Sequence, residues 1–447
     1  MKPVPVIAIF DVGKTNKKLL LFDEQYKVVW EQTIQFLEIK DEDGDPCEDI
    51  DSLSHWIIDS LSGLIQSPGF EVKAINFSAY GASFVHINDL GKVIIPLYNY
   101  LKPYPEDLKK EFYRKYGGEA ELSLKAASPV LGSLNSGMLL YRLKYRNPTF
   151  FKAINCSLHL PQYLAFLLNA KICSDMTSIG CHTNLWDFSK NDYQDWVYRE
   201  KIVEKLAPII PSDSVVKISL MGKVCMAGIG LHDSSAALIP YLISVKKPFV
   251  LISTGTWCIS LAPFNRKVLT KDELKNDCLC YLSYLGLPVK AARLFSGQEH
   301  EEQVKRLAAH FNVSFQAYKT IRYNTEILLE LETEDKQVVG FSKRNLSTYA
   351  SYEEAYHRLI SDIVAQQIKS TNLVLAGGNV DKIFVDGGFS KNSIYMNLLA
   401  KAYPDKEIFT ATVSQASALG AALVIHKYWN TENIPEDLIQ YRRVVSE

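Results

Sequence analysis

Residues 5–22 read PVIAIFDVGKTNKKLLLF, and residues 248–264 read PFVLISTGTWCISLAPF. In both segments an apolar run leads into a short polar turn that contains glycine followed by threonine, and a second apolar run comes after it. Two apolar runs that flank a glycine-containing turn are typical of a β-hairpin. Because the two copies lie about half a chain apart, they predict two domains of related design.

The rest of the chain alternates between helical and strand-like patterns. Apolar residues recur at helical spacing in several segments, and short apolar runs between them are typical of strands. Helices are predicted at residues 50–67, 105–116, 136–145, 160–169, 199–207, 299–310, 352–370, 391–402 and 414–428, and strands at 72–78 and 382–386. Strands that alternate with helices predict an α/β fold.

The length of the chain agrees with two domains. A chain of 447 residues is longer than one ordinary hydrophobic core accommodates. We place the boundary between the two hairpins, so that residues 1–241 form the N-terminal domain and residues 242–447 form the C-terminal domain.

The composition excludes several classes of protein. Apolar residues make up 47% of the chain and charged residues 22%, which is typical of a soluble globular protein. The 49 basic and 50 acidic residues give a net charge of -1, which favours neither nucleic acid nor an anionic membrane surface as a partner. The first apolar run ends at Asp11 and is too short for a signal peptide or a membrane span.

The cysteines predict a reduced, cytoplasmic protein. None of the eight forms a CxxC pair, and Cys278 with Cys280 lacks the second pair that a zinc site needs. Several lie in apolar runs, where a free thiol behaves as a small hydrophobic group.

The turn of the first hairpin, DVGKTN at residues 11–16, is a candidate phosphate site. Gly13 permits a turn that other residues resist, and backbone N–H groups with the Thr15 hydroxyl can surround a phosphate. Asp11, at the end of the strand, can hold Mg²⁺ directly or through water. The segment is not a Walker A loop, because GxxxxGK[ST] is absent. A plain hairpin turn is the alternative interpretation.

The C-terminal half offers two matching loops. Thr254, Gly255 and Thr256 form the turn of the second hairpin, so that a phosphate chain can be held from both domains. In VDGGFSKN, residues 385–392, Gly387 and Gly388 follow a predicted strand and precede a predicted helix, where a flat ring can approach the backbone closely. The alternatives are an ordinary hairpin and a connector that needs glycine only for its geometry.

Asp233 lies in GLHDSSAAL, residues 230–238, at the start of an alanine-rich helical pattern. A carboxylate here suits a general base that takes the proton of a sugar hydroxyl as a phosphoryl group arrives. Asp is also among the preferred N-cap residues of helices. Taken alone, the residue pattern favours the cap over the base.

The order of these motifs resembles a known family. DVGKTN, HDSSAA, STGTW, DGGFSKN and QASALGAA follow one another along nearly the whole chain in the order and spacing of the FGGY carbohydrate kinases. The resemblance implies two duplicated domains with the actin-like, ribonuclease H-like fold, separated by a cleft. It also implies an ATP-dependent sugar kinase that uses Mg²⁺ and a ketose substrate.

The resemblance assigns roles to individual positions. Asp233 matches the catalytic base, which overturns the cap interpretation, and Asp11 and Asp233 are the candidate metal ligands. The candidate ATP-binding residues are Asp11, Gly13, Lys14, Thr15, Asn16, Thr254, Gly255, Thr256, Gly387 and Gly388. The candidate sugar-binding residues are Tyr80, Gly81, Ser83, His232, Asp233 and Ser234.

The sugar is predicted from AYGASF, residues 79–84. This segment resembles the TWGVDF-like segment of rhamnulose and fuculose kinases more than the QMHG segment of xylulose kinases, and HDSS points the same way. The resemblance therefore implies phosphorylation of the 1-hydroxyl of a 6-deoxyketose. Two residues depart from the pattern: Ser83 stands where those relatives carry Asp, and Lys14 replaces a small residue.

Three alternatives stay open at this point. A pentulose kinase of the xylulose or ribulose type and a non-catalytic ATP or sugar sensor share the same fold. A dinucleotide-dependent oxidoreductase is disfavoured because GxGxxG is absent. The sequence does not decide the oligomeric state, and a homodimer is one candidate assembly.

Overall fold

The computed structural model of the chain describes residues 2–334 and 340–445. The strands of the first half are β1 (Val4–Val12), β2 (Lys17–Phe22), β3 (Val28–Ile34), β4 (Ile39–Lys40), β5 (Pro46–Glu48), β6 (Phe70–Ala79), β7 (Phe84–Ile87), β8 (Leu97–Tyr98), β9 (Cys156–His159), β10 (Trp186–Asp187), β11 (Asp192–Tyr193), β12 (Val215–Leu220), β13 (Lys223–Gly228) and β14 (Leu231–His232). Its helices are α1 (Ile50–Gln66), α2 (Glu106–Tyr116), α3 (Glu119–Ala126), α4 (Ser136–Arg146), α5 (Pro148–Ala153), α6 (Leu160–Asn169), α7 (Met176–Ile179), α8 (Asp195–Arg199) and α9 (Asp233–Ser244).

The second half begins after α9. Its strands are β15 (Phe249–Thr254), β16 (Cys258–Ala262), β17 (Cys278–Leu282), β18 (Pro288–Leu294), β19 (Lys382–Gly387), β20 (Glu407–Thr412) and β21 (Gln440–Arg443). Its helices are α10 (Lys271–Lys275), α11 (Ser296–Phe311), α12 (Thr325–Glu334), α13 (Tyr352–Leu375), α14 (Ser393–Ala402) and α15 (Ala416–Leu423).

Each half is built on a mixed sheet with the same central connectivity. The first sheet has the order β12-β13-β6-β1-β2-β3, with β14 also paired to β6, and the second has the order β17-β18-β16-β15-β19-β20-β21. In each sheet the predicted hairpin is antiparallel, and its first strand pairs in parallel with a strand from later in the chain. The predicted α/β fold of two duplicated domains is confirmed.

Strand β1 shows why the first hairpin reads as a nearly continuous apolar run. Residues 6–10 are all fully buried, because both faces of the strand are covered, as is usual for a central strand with a parallel neighbour. Val6, Ala8 and Phe10 pack into an apolar cluster of the N-terminal half. Ile7 and Ile9 face the opposite way, into a cluster that also contains residues of the second half.

Helices α9 and α15 join the two halves through a very close contact. A Cβ atom added to Gly420 of α15 would lie 1.9 Å from the carbonyl oxygen of Ala236 in α9, so glycine is needed there for the backbones to approach. Asn76 of β6 donates a hydrogen bond of 2.7 Å to the carbonyl of Ala421. The boundary that we placed between residues 241 and 242 falls within α9 and stays a prediction.

One helix prediction is wrong, and another is longer than the helix in the structure. Residues 199–207 do not form a helix: α8 ends at Arg199, and only a 3₁₀ turn, Ile202–Lys205, follows. Lys201 has a left-handed backbone conformation (φ 53°), which interrupts the helical path. The predicted helix at 414–428 is shorter, because α15 ends at Leu423.

All eight cysteines are free and buried. Among the helices of residues 2–334 and 340–445, none is both long enough and apolar enough to cross a membrane.

Candidate active site

Two carboxyl groups from the N-terminal half meet residues of the C-terminal half. Asp11 stands near the end of β1, and its Oδ2 accepts a hydrogen bond of 2.8 Å from the Ser417 hydroxyl of the second half. Asp233 is the first residue of α9 and lines a cavity of about 220 Å³ with residues of both halves, including Asp386 and Ser417. The topology therefore brings the two predicted metal ligands to the junction of the domains.

Both carboxyl groups hold protons more tightly than usual. Burial raises the pKa of Asp233 to about 6. The pKa of Asp11 also rises to about 6, first because of burial and further because of the nearby charge of Asp233. A divalent cation between two such groups would favour their ionised forms, because it compensates both the burial and the mutual repulsion.

The surroundings of Asp233 do not match those of a helix cap. The N-cap position belongs to His232, and Oδ1 of Asp233 accepts a bond of 2.5 Å from the adjacent Ser234 N–H. A capping side chain would instead accept from the residue two or three positions later. Within residues 2–334 and 340–445, Oδ2 of Asp233 has no hydrogen-bond partner in our structure. The base role stays a prediction, with one carboxyl oxygen available for it.

His232 supports this carboxyl group from one side. Its Nε2 lies 3.2 Å from Asp233 Oδ1 and 3.2 Å from the Cys181 sulfur. Burial lowers the pKa of His232 to about 4, so the imidazole is neutral at pH 7. Gly81 packs closely against Cys181 and His232. A Cβ at this position would lie 2.4 Å from the Cys181 sulfur, so only glycine fits.

Two of the other predicted sugar-binding residues are buried, and a third lines the cavity. Tyr80 is buried and its hydroxyl donates to Glu48 Oε2 at 3.3 Å. Ser83 is also buried, and its hydroxyl has no hydrogen-bond partner in the described part of the chain. Ser234 lines the same cavity as Asp233, and its hydroxyl donates to Asp233 Oδ1 at 3.2 Å. The sugar contacts of these residues stay predictions.

The turn of the first hairpin is tight and mostly exposed. The Gly13 N–H donates to the carbonyl of Asn16 at 2.9 Å, while Thr15 and Asn16 are exposed. The Lys14 ammonium lies 2.6 Å from the Glu38 carboxylate of the same half. The charge of Lys14, a predicted ATP-binding residue, is therefore paired within the N-terminal half in this structure.

The turn of the second hairpin is tied to the diglycine loop. The Thr254 hydroxyl donates to the Asp386 carbonyl at 2.6 Å and accepts from the Phe389 N–H at 3.0 Å. Gly387 has a left-handed backbone (φ 93°), and a Cβ there would lie 1.9 Å from the Thr254 carbonyl oxygen. Thr256 is exposed. Strands β15 and β19 thus end in one joint surface made by both predicted loops.

This joint surface opens into a cavity of about 490 Å³ in the C-terminal half. The cavity is lined by Thr254, Gly255, Gly297, His300, Tyr318, Lys319, Ile321, Arg322, Gly388, Phe389, Lys391 and Asn392. A site of this size, with aromatic walls and a few polar groups, suits a nucleoside. It joins three predicted residues, Thr254, Gly255 and Gly388, with others from distant segments.

Sequence reasoning missed several of these residues. His300 of α11 was not among the predicted site residues, yet it lines the cavity, and burial lowers its pKa to about 4. Its Nε2 lies 3.1 Å from the Tyr356 hydroxyl. Asp386, which accepts from the Tyr241 hydroxyl at 2.9 Å, was also passed over although it stands inside the quoted VDGG motif. That motif was the one signal that could have found it.

A second acidic cluster already holds a lysine ammonium among its carboxylates. The carboxylates of Asp41, Asp43 and Asp45 come close enough together to hold a metal ion. The Lys102 ammonium lies among them, 2.5 Å from Asp41 and 2.8 Å from Asp45. A lysine charge therefore already occupies the place that a cation would take.

Comparison with family models decides the identity of the chain. A model of the FGGY family of carbohydrate kinases, N-terminal domain, matches residues 6–234. A model of carbohydrate kinase FGGY, C-terminal domain, matches residues 246–433. The chain belongs to the FGGY family of carbohydrate kinases. It is therefore an ATP-dependent sugar kinase, as its motifs predicted.

Individual relatives of this FGGY kinase are distant. A rhamnulokinase of Mannheimia succiniciproducens is 21% identical over 443 residues, which cover 93% of this chain and 88% of the relative. A carbohydrate kinase from Novosphingobium aromaticivorans superposes with a TM-score of 0.80 at 21% identity, over 99% of this chain and 94% of that one. A xylulose kinase from Rhodospirillum rubrum gives the same TM-score at 13% identity, with the same coverage. These structures share the two-domain, actin-like fold, and that prediction is confirmed.

Proposed function

We propose that this FGGY kinase transfers the γ-phosphate of ATP to the 1-hydroxyl of a ketose, with Asp233 as the general base. The observation that carries the proposal is the position of Asp233. Its carboxyl lines a cavity shared by both halves, keeps Oδ2 without a hydrogen-bond partner among the described residues, and has a pKa raised to about 6 by burial. A base with a pKa near the working pH is well matched to proton transfer.

The nucleotide would occupy the C-terminal half. The cavity of about 490 Å³ suits adenosine, with Gly388 and Asn392 on its wall. The phosphates would then extend past Thr254 and Gly255, which border that cavity, toward the turn of the first hairpin. Exposed Thr15, Asn16 and Thr256 would donate to them.

Magnesium would belong to the same junction. The carboxyl oxygens of Asp11 and Asp233 are the ligands that Mg²⁺ prefers, and their raised pKa values fit a pair that lacks a compensating charge. When bound, the ion would neutralise charge on the phosphates.

The reaction is an in-line displacement at the γ-phosphorus. Asp233 Oδ2 takes the proton of the sugar hydroxyl, the hydroxyl oxygen bonds to phosphorus, and the bond to the β,γ-bridging oxygen breaks to release ADP. Alignment of the reactants can contribute about 7–11 kcal/mol to lowering the barrier. The base adds roughly 10²–10⁴-fold in rate. Alignment by the two domains should therefore outweigh proton transfer.

The ketose that we favour is a 6-deoxyketose such as L-rhamnulose or L-fuculose. The similarity of AYGASF and HDSS to the corresponding segments of rhamnulose and fuculose kinases supports this choice, as does the similarity to a rhamnulokinase across 93% of the chain. Against it, Ser83 replaces an expected Asp and is buried. A pentulose is the second candidate.

A panel of sugars tests the proposal. L-rhamnulose, L-fuculose, L-ribulose, D-ribulose and D-xylulose are each supplied with ATP and Mg²⁺, and transfer of phosphate to the sugar is measured with the position of the new ester. We expect the highest kcat/KM with a 6-deoxyketose and the ester at O1. A higher value for a pentulose would contradict the sugar assignment. ADP release that no sugar accelerates would favour a sensor on the same fold.

A further inference from the structure

A buried ion pair lies beside the turn of the first hairpin. The Lys17 ammonium, at the start of β2, stands 2.7 Å from Oε1 of Glu48 in β5, and the two side chains are only 2% and 4% exposed. Removing two charges from water has a large cost, and an apolar pair of similar volume is often equally stable in such a place. Stability alone therefore does not account for two charges at this position.

The lysine of this pair holds the backbone of the turn. Its ammonium donates a hydrogen bond of 2.9 Å to the carbonyl of Lys14, a residue within the turn. The Lys14 ammonium in addition lies 3.9 Å from Oε2 of Glu48. Glu48 has a fixed place, because it pairs with Leu97 of the neighbouring strand β8. The carboxylate of Glu48 is thus connected to the turn through two lysines.

The same carboxylate also contacts the segment AYGASF, which we predicted to bind the sugar. Tyr80, the second residue of that segment, donates its hydroxyl to Oε2 of Glu48 at 3.3 Å, and its backbone N–H donates to the Val12 carbonyl at 3.1 Å. The topology explains this meeting, because β1 and β6 are adjacent parallel strands that are in register up to Val12 and Ala79. The segments that follow these two strands therefore leave the sheet side by side.

We propose that Glu48 is a positioning residue, which fixes the turn of the first hairpin and the segment AYGASF in one mutual geometry. Its carboxylate bonds at the same time to the lysine that holds the turn and to the Tyr80 hydroxyl. The proposal rests on the proposed function, in which the turn contacts the phosphates of ATP and the segment contacts the ketose. In-line transfer needs both reactants aligned, and a displacement of about 1 Å can cost about a hundredfold in rate. Glu48 acts on kcat through this alignment and touches neither substrate.

An apolar replacement of the whole pair separates positioning from stability. Lys17→Met combined with Glu48→Leu removes both charges, so that neither is left unpaired in the interior, and the melting temperature should stay close to the wild-type value. We expect kcat to fall on the order of ten- to a hundredfold. The Kd of a non-hydrolysable ATP analogue with Mg²⁺ and the Kd of the best ketose of the panel, each measured alone by calorimetry, should change little. A folded double variant with wild-type kcat, or one in which both ligands bind much more weakly, would overturn the proposal.

A single hydroxyl gives an independent test that leaves the ion pair intact. Tyr80→Phe removes only the bond to Glu48, and kcat should fall roughly two- to tenfold, the equivalent of one hydrogen bond. Unchanged kcat in Tyr80→Phe speaks against the proposal even where the double variant does not fold.

The matched control is a buried ion pair of the C-terminal half. Lys290 in β18 lies 2.5 Å from Glu273 in α10, with side chains 1% and 13% exposed. Lys290→Met combined with Glu273→Leu should keep the wild-type kcat, and an equal loss there would assign the effect to the removal of any buried pair. A wild-type protein that phosphorylates no ketose would refute the proposed function and this proposal with it. An active wild type whose kcat survives in both test variants would refute the role of Glu48 alone.

Discussion

The two hairpin turns occupy equivalent places in the two sheets but hold different chemical groups. The turn at residues 11–16 begins with a carboxyl whose pKa is raised to about 6, and its lysine is paired with Glu38. The turn at residues 254–256 has no charged side chain, and its first hydroxyl is tied to the diglycine loop. In the proposed function, the N-terminal half would supply the charged groups for the chemistry, and the C-terminal half would shape the nucleotide site.

The largest effect is expected from removal of the proposed base, which tests whether the N-terminal half supplies the charged groups for the chemistry. Asp233→Asn should lower kcat by roughly 10²–10⁴-fold, the usual contribution of a general base, with ATP binding nearly unchanged. Steady-state kinetics and calorimetry with ATP measure the two quantities. Near-wild-type turnover would show that the carboxyl group has no part in the proton transfer.

The pH profile is the control for that variant. Because burial raises the pKa of Asp233 to about 6 and the base must be ionised, wild-type kcat/KM should show an acid limb that falls about tenfold per pH unit, at or below pH 6, since bound Mg²⁺ would lower this pKa. The residual activity of Asp233→Asn should lack this limb. A limb of equal size in both proteins would assign the titration to another group.

Adding one methyl group to the diglycine loop should destabilise the C-terminal half without any change in charge. Gly387→Ala places a methyl group against the Thr254 carbonyl in a left-handed backbone, and should cost at least about 1–3 kcal/mol of stability. Gly388→Ala is the matched control, because its backbone is right-handed helical and its Cβ meets no atom within 4 Å. Denaturant unfolding without ligands compares them. Equal stability of the two variants would mean that the loop tolerates a shifted β19 end.

The smallest expected effect comes from one hydroxyl. Thr256→Val keeps the shape and removes a donor to phosphate, which should weaken ATP use by about 0.5–1.5 kcal/mol. Sugar affinity measured without nucleotide should not change. Thr15→Val makes the matched change in the first turn, and steady-state kinetics compare the two. Damage to nucleotide-free sugar binding by Thr256→Val as large as the damage to ATP use would contradict the division of labour between the turns.

Much of the fold could be predicted from the sequence, because central strands that are buried on both faces are apolar along their whole length. Residues 5–22 and 248–264 carry that signal, and the polar turn between their apolar runs marks the end of each strand. The helix prediction for residues 199–207 was wrong. Their apolar residues have helical spacing, but Lys201 adopts a left-handed backbone conformation, which spacing does not reveal.

The lining of the C-terminal cavity was predictable where one motif supplies several residues, and not where the fold gathers residues from distant segments. Thr254, Gly255 and Gly388 were found because adjacent loops carry them. His300 and Tyr318 reach the same cavity from separate segments, so no local pattern marks them. The direction of Lys14 depends on Glu38, a partner 24 residues away, and no spacing rule predicts such a pair.

The close contact of Gly420 with the backbone of Ala236 has a mechanical consequence. Because the two helices touch through backbone atoms, with the Asn76 side chain bonded beside the contact, they have little freedom to slide along each other. A movement that preserves this contact is a rigid-body rotation of the two halves, with the contact as the pivot. Atoms beside such a pivot travel little and atoms at the rim travel far. The carboxyl of Asp233 on α9, the proposed base, would stay nearly still while the outer walls of the C-terminal cavity swing.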